Sequence, residues 1–454
     1  MSLMVSISGI RGIVGESLTP EVIIKYAAAY SEYCNRGLVV VGRDGRITGA
    51  SISNLVISTL LSMGCDVLDI GVCPTPTVQL GVEKKRAAGG ISITASHNPI
   101  EWNGLKFMSY TGLFLDPGEN KDFWDIANSR RWKYTPWNAQ GSYIHDDCFI
   151  DQHILNVLAL PYIDQEAIQK RKLKVVVDCV NAAGGRIIPQ LLREFGCELV
   201  EMNTNLSGIF SHTPEPIPEN LTSLCEQVKI AGADLGIAVD PDVDRLVLID
   251  EHGEPIGEEY TIASIIKFVL GKEAQKIRNA EVVVNLSTTR AVDDIAALYG
   301  ARVHRTPVGE INVAKKMKEI GALVGGEGSG GVILPASHIG RDAPVGIGLA
   351  LQHLVEFGGT MSELKKSLPQ YFISKGKVNI ASLNPDEVLK IIQDQYSSSA
   401  AINTEDGLKI DFPDYWIHLR KSNTEPIIRL IAEAPQKDQA DQLVKQLKEK
   451  VFSL

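Results

Sequence analysis

Several things are missing from this chain, and each absence excludes something. No two of its seven cysteines, at 34, 65, 73, 148, 179, 197 and 225, form a CxxC pair. An odd count in so long a chain fits reduced, buried thiols rather than a disulfide framework, so the expected home is the cytoplasm. Positive charge is not in surplus either: 45 Lys and Arg face 55 Asp and Glu, a net charge of -10. With no global positive field to draw in a phosphate backbone or an anionic membrane surface, neither nucleic acid nor membrane is expected as a partner. An anionic substrate would need local Arg and Lys. No apolar run approaches the roughly 18 residues of a spanning helix. The start "MSLMVSISGIRG" lacks the charged and apolar regions of a signal peptide, so the expectation is a soluble protein.

What is present is ordinary globular composition, 44% hydrophobic and 22% charged over 454 residues, with length enough for about three domains. "GLVVVGRDGR", "ASISNLVISTLLSMG" and "CDVLDIG" read as strand, helix and strand. The succession returns in "LKVVVDCV", "GGRIIPQLLREFG", "CELVEMN" and again in "AEVVVNLS", "TRAVDDIAALYG", "ARVHRTP". Three βαβ units, at 37–71, 173–203 and 280–307, predict three α/β domains with mixed, mostly parallel sheets. The tail from 372 to 454 changes character. Strand-like "KGKVNIA", a helix "NPDEVLKIIQDQY" opened by an Asn cap, strands "LKIDF" and "WIHLR" and a charged amphipathic helix "KDQADQLVKQLKEKV" make a smaller α+β domain. With no long linker, the domains are expected to pack together and enclose a cleft.

Four short stretches carry chemistry. In "GISITASHNP" the hydroxyl of Ser96 stands where a strand ends; a turn-satisfying serine explains it alone, and no GxSxG elbow surrounds it. "DPDVDR" sets Asp240, Asp242 and Asp244 at alternate positions, read as an extended segment kinked by Pro241. Such carboxylates repel and call for a hard cation, here Mg²⁺. An EF-hand is rejected because Arg245 stands where its loop requires Gly, and "LVLID" reads as a strand. "GGEGSGG" offers Glu327 and Ser329 as its only side chains, able to meet a polyhydroxylated ligand. "RKSNTEP" with Arg429 is a dense set of donors suited to a phosphate. Arg11 in "SGIRG" and Lys106 in "NGLK" add positive charge.

"TASHNP", "DPDVDR", "GEGSGG" and "RKSNTEP" resemble, in order and spacing, the four signature loops of the α-D-phosphohexomutase superfamily. "SGIRG", "VGRDGR", "NGLKF", "PEPIPENL" and "GRDA" extend the likeness across nearly the whole chain. The resemblance implies four domains around one central cleft, here 1–155 with a phosphoserine loop, 156–255 with a metal loop, 256–371 with a sugar loop and 372–454 with a phosphate loop. It implies that Ser96 is a phosphoserine, enclosing Mg²⁺ with Asp240, Asp242 and Asp244, and that Arg11, Lys106 and Arg245 surround the moving phosphate. Lys106 or His97 is the candidate for proton transfer, Glu327 and Ser329 hold ring hydroxyls, and Arg420, Ser422, Asn423, Thr424 and Arg429 grip the second phosphate. The implied activity interconverts hexose 6-phosphate and 1-phosphate through a sugar 1,6-bisphosphate, which also acts as activator and must turn end over end between half-reactions. The last domain is expected to act as a lid, and the protein to be a monomer or homodimer.

Two departures stand out. Many family members carry a histidine where this chain has Gly331, with His338 the nearby imidazole, and Lys421 and Asn423 replace a Pro and a Gly often seen in the phosphate loop. "GGEGSGGVILPASHIGRDA" and "LRKSNTEPIIR" look most like bacterial phosphoglucosamine mutases; phosphomannomutase/phosphoglucomutase is the alternative, and a phosphoserine-dependent sugar phosphatase a further one.

Overall fold

The computed structural model describes residues 3–380, 384–421 and 427–452. Four sheets follow one another along the chain. In each of the first three, a strand–helix–strand crossover unit lies where the sequence periodicity puts it. Val39–Arg43 pairs in parallel with Val67–Val72 through the helix Gly49–Ser62. Lys174–Asp178 pairs likewise with Glu198–Met202 through Gly184–Glu194, and Glu281–Asn285 with Arg302–Thr306 through Ala291–Leu298. The runs Val39–Val41, Val175–Val177 and Val282–Val284 are wholly buried, as expected of strands covered on both faces.

One strand in each of these sheets has a mixed position. Gly89–Ile93 is parallel to Val39–Arg43 on one side and antiparallel to Trp102–Met108 on the other. Leu235–Val239 stands between parallel Lys174–Asp178 and antiparallel Leu246–Ile249. Val324–Glu327 stands between parallel Glu281–Asn285 and antiparallel Gly331–Leu334. The carboxyl ends of these three strands lead to Ser96, to Asp240–Asp244 and to Glu327–Ser329. Three unrelated sequences thus mount their polar loops at the same topological point, where a strand end is open and its neighbours diverge.

The first three sheets and their helices share one apolar core: Val40, Ile188, Val269 and Leu351 belong to a single continuous cluster. At its centre lies the helix Ala343–Phe357, buried at every residue from Ala343 to Leu354. A helix apolar on all sides is stable only when surrounded, and each such Leu or Ile contributes about 1.5–3 kcal/mol. The fourth sheet, all antiparallel in the order Phe372–Asn379, Ile427–Ala434, Trp416–Lys421, Leu408–Asp411, Ala401–Asn403, has a core of its own around Val378, Ile392, Leu419 and Val444. Its helices are Pro385–Tyr396, capped by the Asn384 side chain, and Lys437–Phe452. The fold is therefore three α/β/α domains with mixed sheets and a C-terminal antiparallel-sheet domain. Among the described residues no helix is long and apolar enough to cross a membrane.

Candidate active site

The Ser96 loop is held from behind by a residue sequence reasoning did not single out. Arg46, 1% exposed, donates from Nη2 to the carbonyls of Ser96 and Asn98 at 2.6 and 2.7 Å, and from Nη1 to those of Pro99 and Trp102 at 2.7 and 2.9 Å. Its Nε reaches Asp44 Oδ2 at 3.1 Å, the same oxygen that accepts from Thr94 Oγ1, whose hydroxyl in turn accepts from Ser96 N. One guanidinium therefore fixes four carbonyls of a single turn. This clamp holds Ser96 at φ +50°, a left-handed conformation that costs a residue with a side chain about 1–2 kcal/mol. Ser96 Oγ donates to Asp240 Oδ2 at 3.1 Å and lies 3.2 Å from His97 Nδ1. Burial, then Arg245 and Arg11, push the His97 imidazole down to about 2, which keeps it neutral.

Asp240, Asp242 and Asp244 are fully buried, and each offers an oxygen within 4.8 Å of the others. Their segment is a turn rather than the extended run expected. Val243 has φ +61°, and Asp240 Oδ1 accepts from the amides of Asp244 and Arg245 at 3.1 Å each; that turn, not alternation along a strand, brings the carboxylates together. The segment beyond is the strand Leu246–Ile249. Lys106 lies in a buried strand, with Nζ 2.6 Å from Asp242 Oδ2 and 3.1 Å from Asp244 Oδ2. Burial, then Asp244 and Asp242, push the Asp240 carboxyl well above its ordinary range. Burial also works to raise Asp244, but Arg341, Lys106 and Arg245 overcome it and hold that carboxyl low. Three carboxylates this close do not all stay ionised without further positive charge. Among the described residues, buried Asp242 Oδ1 and Asp244 Oδ1 accept no hydrogen bond. An all-oxygen set with two unused lone-pair sites fits a hard divalent cation.

Glu327 ends the third mixed strand and Ser329 follows it. Glu327 Oε1 accepts from Asn285 Nδ2 and Gly309 N at 2.9 Å each. Its Oε2 accepts from Arg341 Nη1 at 2.8 Å. Arg341 also reaches Asp244 Oδ2 through Nη2 at 2.6 Å and Glu310 Oε2 through Nε at 3.2 Å. Neither Arg341 nor Glu310 was singled out from sequence, although "GRDA" was noted. His338 does not supply an imidazole to the site: its Nε2 bonds Asp342 Oδ2 at 2.9 Å, beside His153 Nε2 at 2.8 Å on the same oxygen. That buried trio ties the helix Phe149–Leu158 to the third domain.

In the last domain, Arg420 and Arg429 are partners across adjacent antiparallel strands, and Lys377 is the partner of Arg429 on the next. Directly paired residues share a sheet face, so three cations form a row. Like charges so aligned repel and favour an anion between them. Lys377 gave no motif signal; only strand register reveals it. Ser422, Asn423 and Thr424 lie outside the described residues.

These groups meet in one cavity of about 1220 Å³. Arg11, His97, Lys106 and Arg245 line it with Ser96, and Arg11 Nη1 donates to Asn98 Oδ1 at 3.1 Å. Glu327, Ser329, Arg341, Lys377, Arg420 and Arg429 line it from the other domains, while the three aspartates lie one layer deeper behind Ser96. A hydroxyl set against a carboxylate trio, with cations facing it across the cleft, is equipment for phosphoryl transfer on a small polyol.

The class so defined is a phosphohexomutase, an isomerase moving a phosphoryl group on a hexose. The chain belongs to the phosphoglucomutase/phosphomannomutase family, matching its alpha/beta/alpha domains I, II and III over residues 4–133, 151–253 and 258–372 and its C-terminal domain over 376–450. It is 38% identical over 445 residues to the phosphoglucomutase/phosphomannomutase of Thermococcus kodakarensis, covering 95% of this chain and 94% of that one. To the probable phosphoglucosamine mutase of Methanopyrus kandleri it is 35% identical over 438 residues, covering 96% and 95%. A solved phosphoglucomutase/phosphomannomutase family protein from Burkholderia thailandensis shares 26% identity and superimposes with a TM-score of 0.84 over 99% of this chain and 98% of that one.

Proposed function

We propose that the chain interconverts the 6- and 1-phosphates of a hexose through phosphorylated Ser96, with glucosamine phosphate the preferred substrate and mannose or glucose phosphate the alternative. Four units, 1–155, 156–255, 256–371 and 372–454, each contribute one loop to the cleft. The observation that carries the reading is Ser96 Oγ at 3.1 Å from Asp240 Oδ2, facing a cavity whose far wall bears Arg420 and Arg429.

A sugar hydroxyl attacks the phosphorus on Ser96: the new oxygen–phosphorus bond forms, the bond to Ser96 Oγ breaks, and the hydroxyl proton goes to the neutral His97 imidazole or to Lys106 once that amine has itself lost a proton. The bisphosphate then turns in the cleft and returns its other phosphoryl group to Ser96. Phosphoryl transfer asks for positioning and charge stabilisation rather than covalent work. Arg11, Lys106 and Arg245 stabilise charge on the moving group, while Arg420, Arg429 and Lys377 hold the phosphate that stays, with Ser422, Asn423 and Thr424 as further donors. Glu327 and Ser329 orient ring hydroxyls. Asp240, Asp242 and Asp244 with a phosphoserine oxygen would hold Mg²⁺, which would supply charge neutralisation. The choice of amino sugar rests on the likeness of whole-chain motifs and on relatives at about this identity, whose names divide between the two assignments.

The test runs glucosamine, glucose and mannose 6-phosphates side by side with trace 1,6-bisphosphate, scoring isomerisation against release of inorganic phosphate. Glucosamine phosphate should turn over fastest, without net phosphate release, and Ser96→Ala should abolish turnover while leaving sugar-phosphate binding intact. Stoichiometric phosphate release, or normal turnover in the Ser96→Ala protein, refutes the reading.

A further inference from the structure

Gly331 is glycine for a reason that is spatial. Its φ lies outside the left-handed region, so backbone conformation does not demand it. A methyl group placed there would stand 2.3 Å from Arg341 Cδ and 3.1 Å from Cγ. The Arg341 side chain therefore lies across position 331, in the space a side chain there would fill. Gly331 is also the direct strand partner of Glu327. Crossing it carries the guanidinium to the sugar-facing carboxylate.

The guanidinium is spoken for on three sides by carboxylates from three segments: Asp244 in the aspartate turn, Glu310 at the start of the helix Glu310–Ile320, and Glu327 at the end of the mixed strand. Glu310 anchors it doubly, since its Oε1 also accepts from Arg341 N at 3.1 Å. The two terminal nitrogens are then left for one oxygen of Asp244 and one of Glu327. A planar fork cannot tilt toward one carboxylate without moving on the other.

We infer that Arg341 is a positioning residue that joins the sugar-binding carboxylate Glu327 to the cation-binding carboxylate Asp244, and that Gly331 is the space this joint requires. The inference rests on the mutase reading and deepens it. Ring hydroxyls bound at Glu327 steady the fork, the fork steadies Asp244, and its unused Oδ1 is then better set for the cation. Sugar phosphate and divalent cation should therefore tighten one another's binding, by equal factors in either direction.

The test titrates Mg²⁺ calorimetrically into the full chain, dephosphorylated so that nothing turns over, with and without saturating glucosamine 6-phosphate, then glucose 6-phosphate. In the natural chain the sugar phosphate should tighten Mg²⁺ about tenfold. Arg341→Lys keeps the charge and loses the fork, and should cut that factor to less than about twofold while Mg²⁺ alone still binds. An unchanged factor in the Arg341→Lys protein, or no linkage in a natural chain that binds both ligands, overturns the inference and leaves the mutase reading standing. A natural chain that binds Mg²⁺ but none of glucosamine, glucose and mannose 6-phosphates overturns both. Thermal melts add a steric arm: Gly331→Ala should lower Tm, and adding Arg341→Ala should cost less than the sum of the two single changes. Strict additivity overturns the role assigned to Gly331.

Discussion

The helix Ala343–Phe357 and the strand Trp416–Lys421 both lie where domains meet, and different forces hold them there. Twelve consecutive residues of the helix, Ala343 to Leu354, are buried in the core shared by the first three domains. The strand meets the third domain through polar groups instead. His418 Nδ1 lies 3.0 Å from Ser287 Oγ, and Glu433 Oε1 accepts both from Trp416 Nε1 at 2.7 Å and from Arg290 N at 2.9 Å. Arg290 further donates to the carbonyls of Pro413 and Phe412 at 2.7 and 2.8 Å. Water can replace such hydrogen bonds at little cost, whereas it cannot replace buried apolar contact. Three domains therefore share one apolar core behind Ser96, the aspartates and Glu327, whereas the fourth keeps a core of its own and meets them here through hydrogen bonds.

Variants can break that contrast, and the largest effect belongs to the three domains with the shared core. Asp242→Asn should lower kcat about a thousandfold, near 4 kcal/mol of transition-state stabilisation, and weaken Mg²⁺ binding in calorimetry. A near-normal kcat would remove the aspartate turn from the chemistry. Arg46→Met strips the cation from buried Asp44 and frees four carbonyls; urea unfolding should show a loss of about 3–5 kcal/mol. The surviving folded enzyme should show reduced kcat with little change in KM, because the clamp aims Ser96 and touches no substrate. In the fourth domain, Arg420→Ala should raise KM for sugar phosphate about tenfold, the scale of one charge-assisted hydrogen bond, with the melting temperature nearly unchanged. Smallest of all, Arg290→Ala should cost about 1 kcal/mol and speed amide exchange in Trp416–Lys421 while leaving Ala343–Phe357 protected. If it destabilised the whole chain as much as Arg46→Met, the distinction between the two boundaries would fail.

Much of this architecture was legible in the sequence because its signals are local. The three crossover units announce themselves by periodicity, and the four loops by short runs such as "TASHNP" and "DPDVDR". What stayed hidden depends on contacts between distant positions. Arg46 acts on carbonyls about fifty residues further along the chain. Arg341 joins carboxylates 14, 31 and 97 positions away. Lys377 enters the cationic row only through the register of its strand with Arg429. The aspartates were read as extended because alternation is visible in sequence, while the left-handed Val243 that makes the turn is not. His338 drew notice for its imidazole, but Asp342, four residues on, holds it.

The three mixed strands have an evolutionary corollary. Each polar loop grows from a stem hydrogen-bonded on both sides, so its backbone has support of its own wherever its side chains do not reach another loop. Changes at the third stem's short tip that spare Glu327 and its Arg341 partner leave the serine and the aspartates in place. A scaffold mounted this way changes its diet more readily than its chemistry.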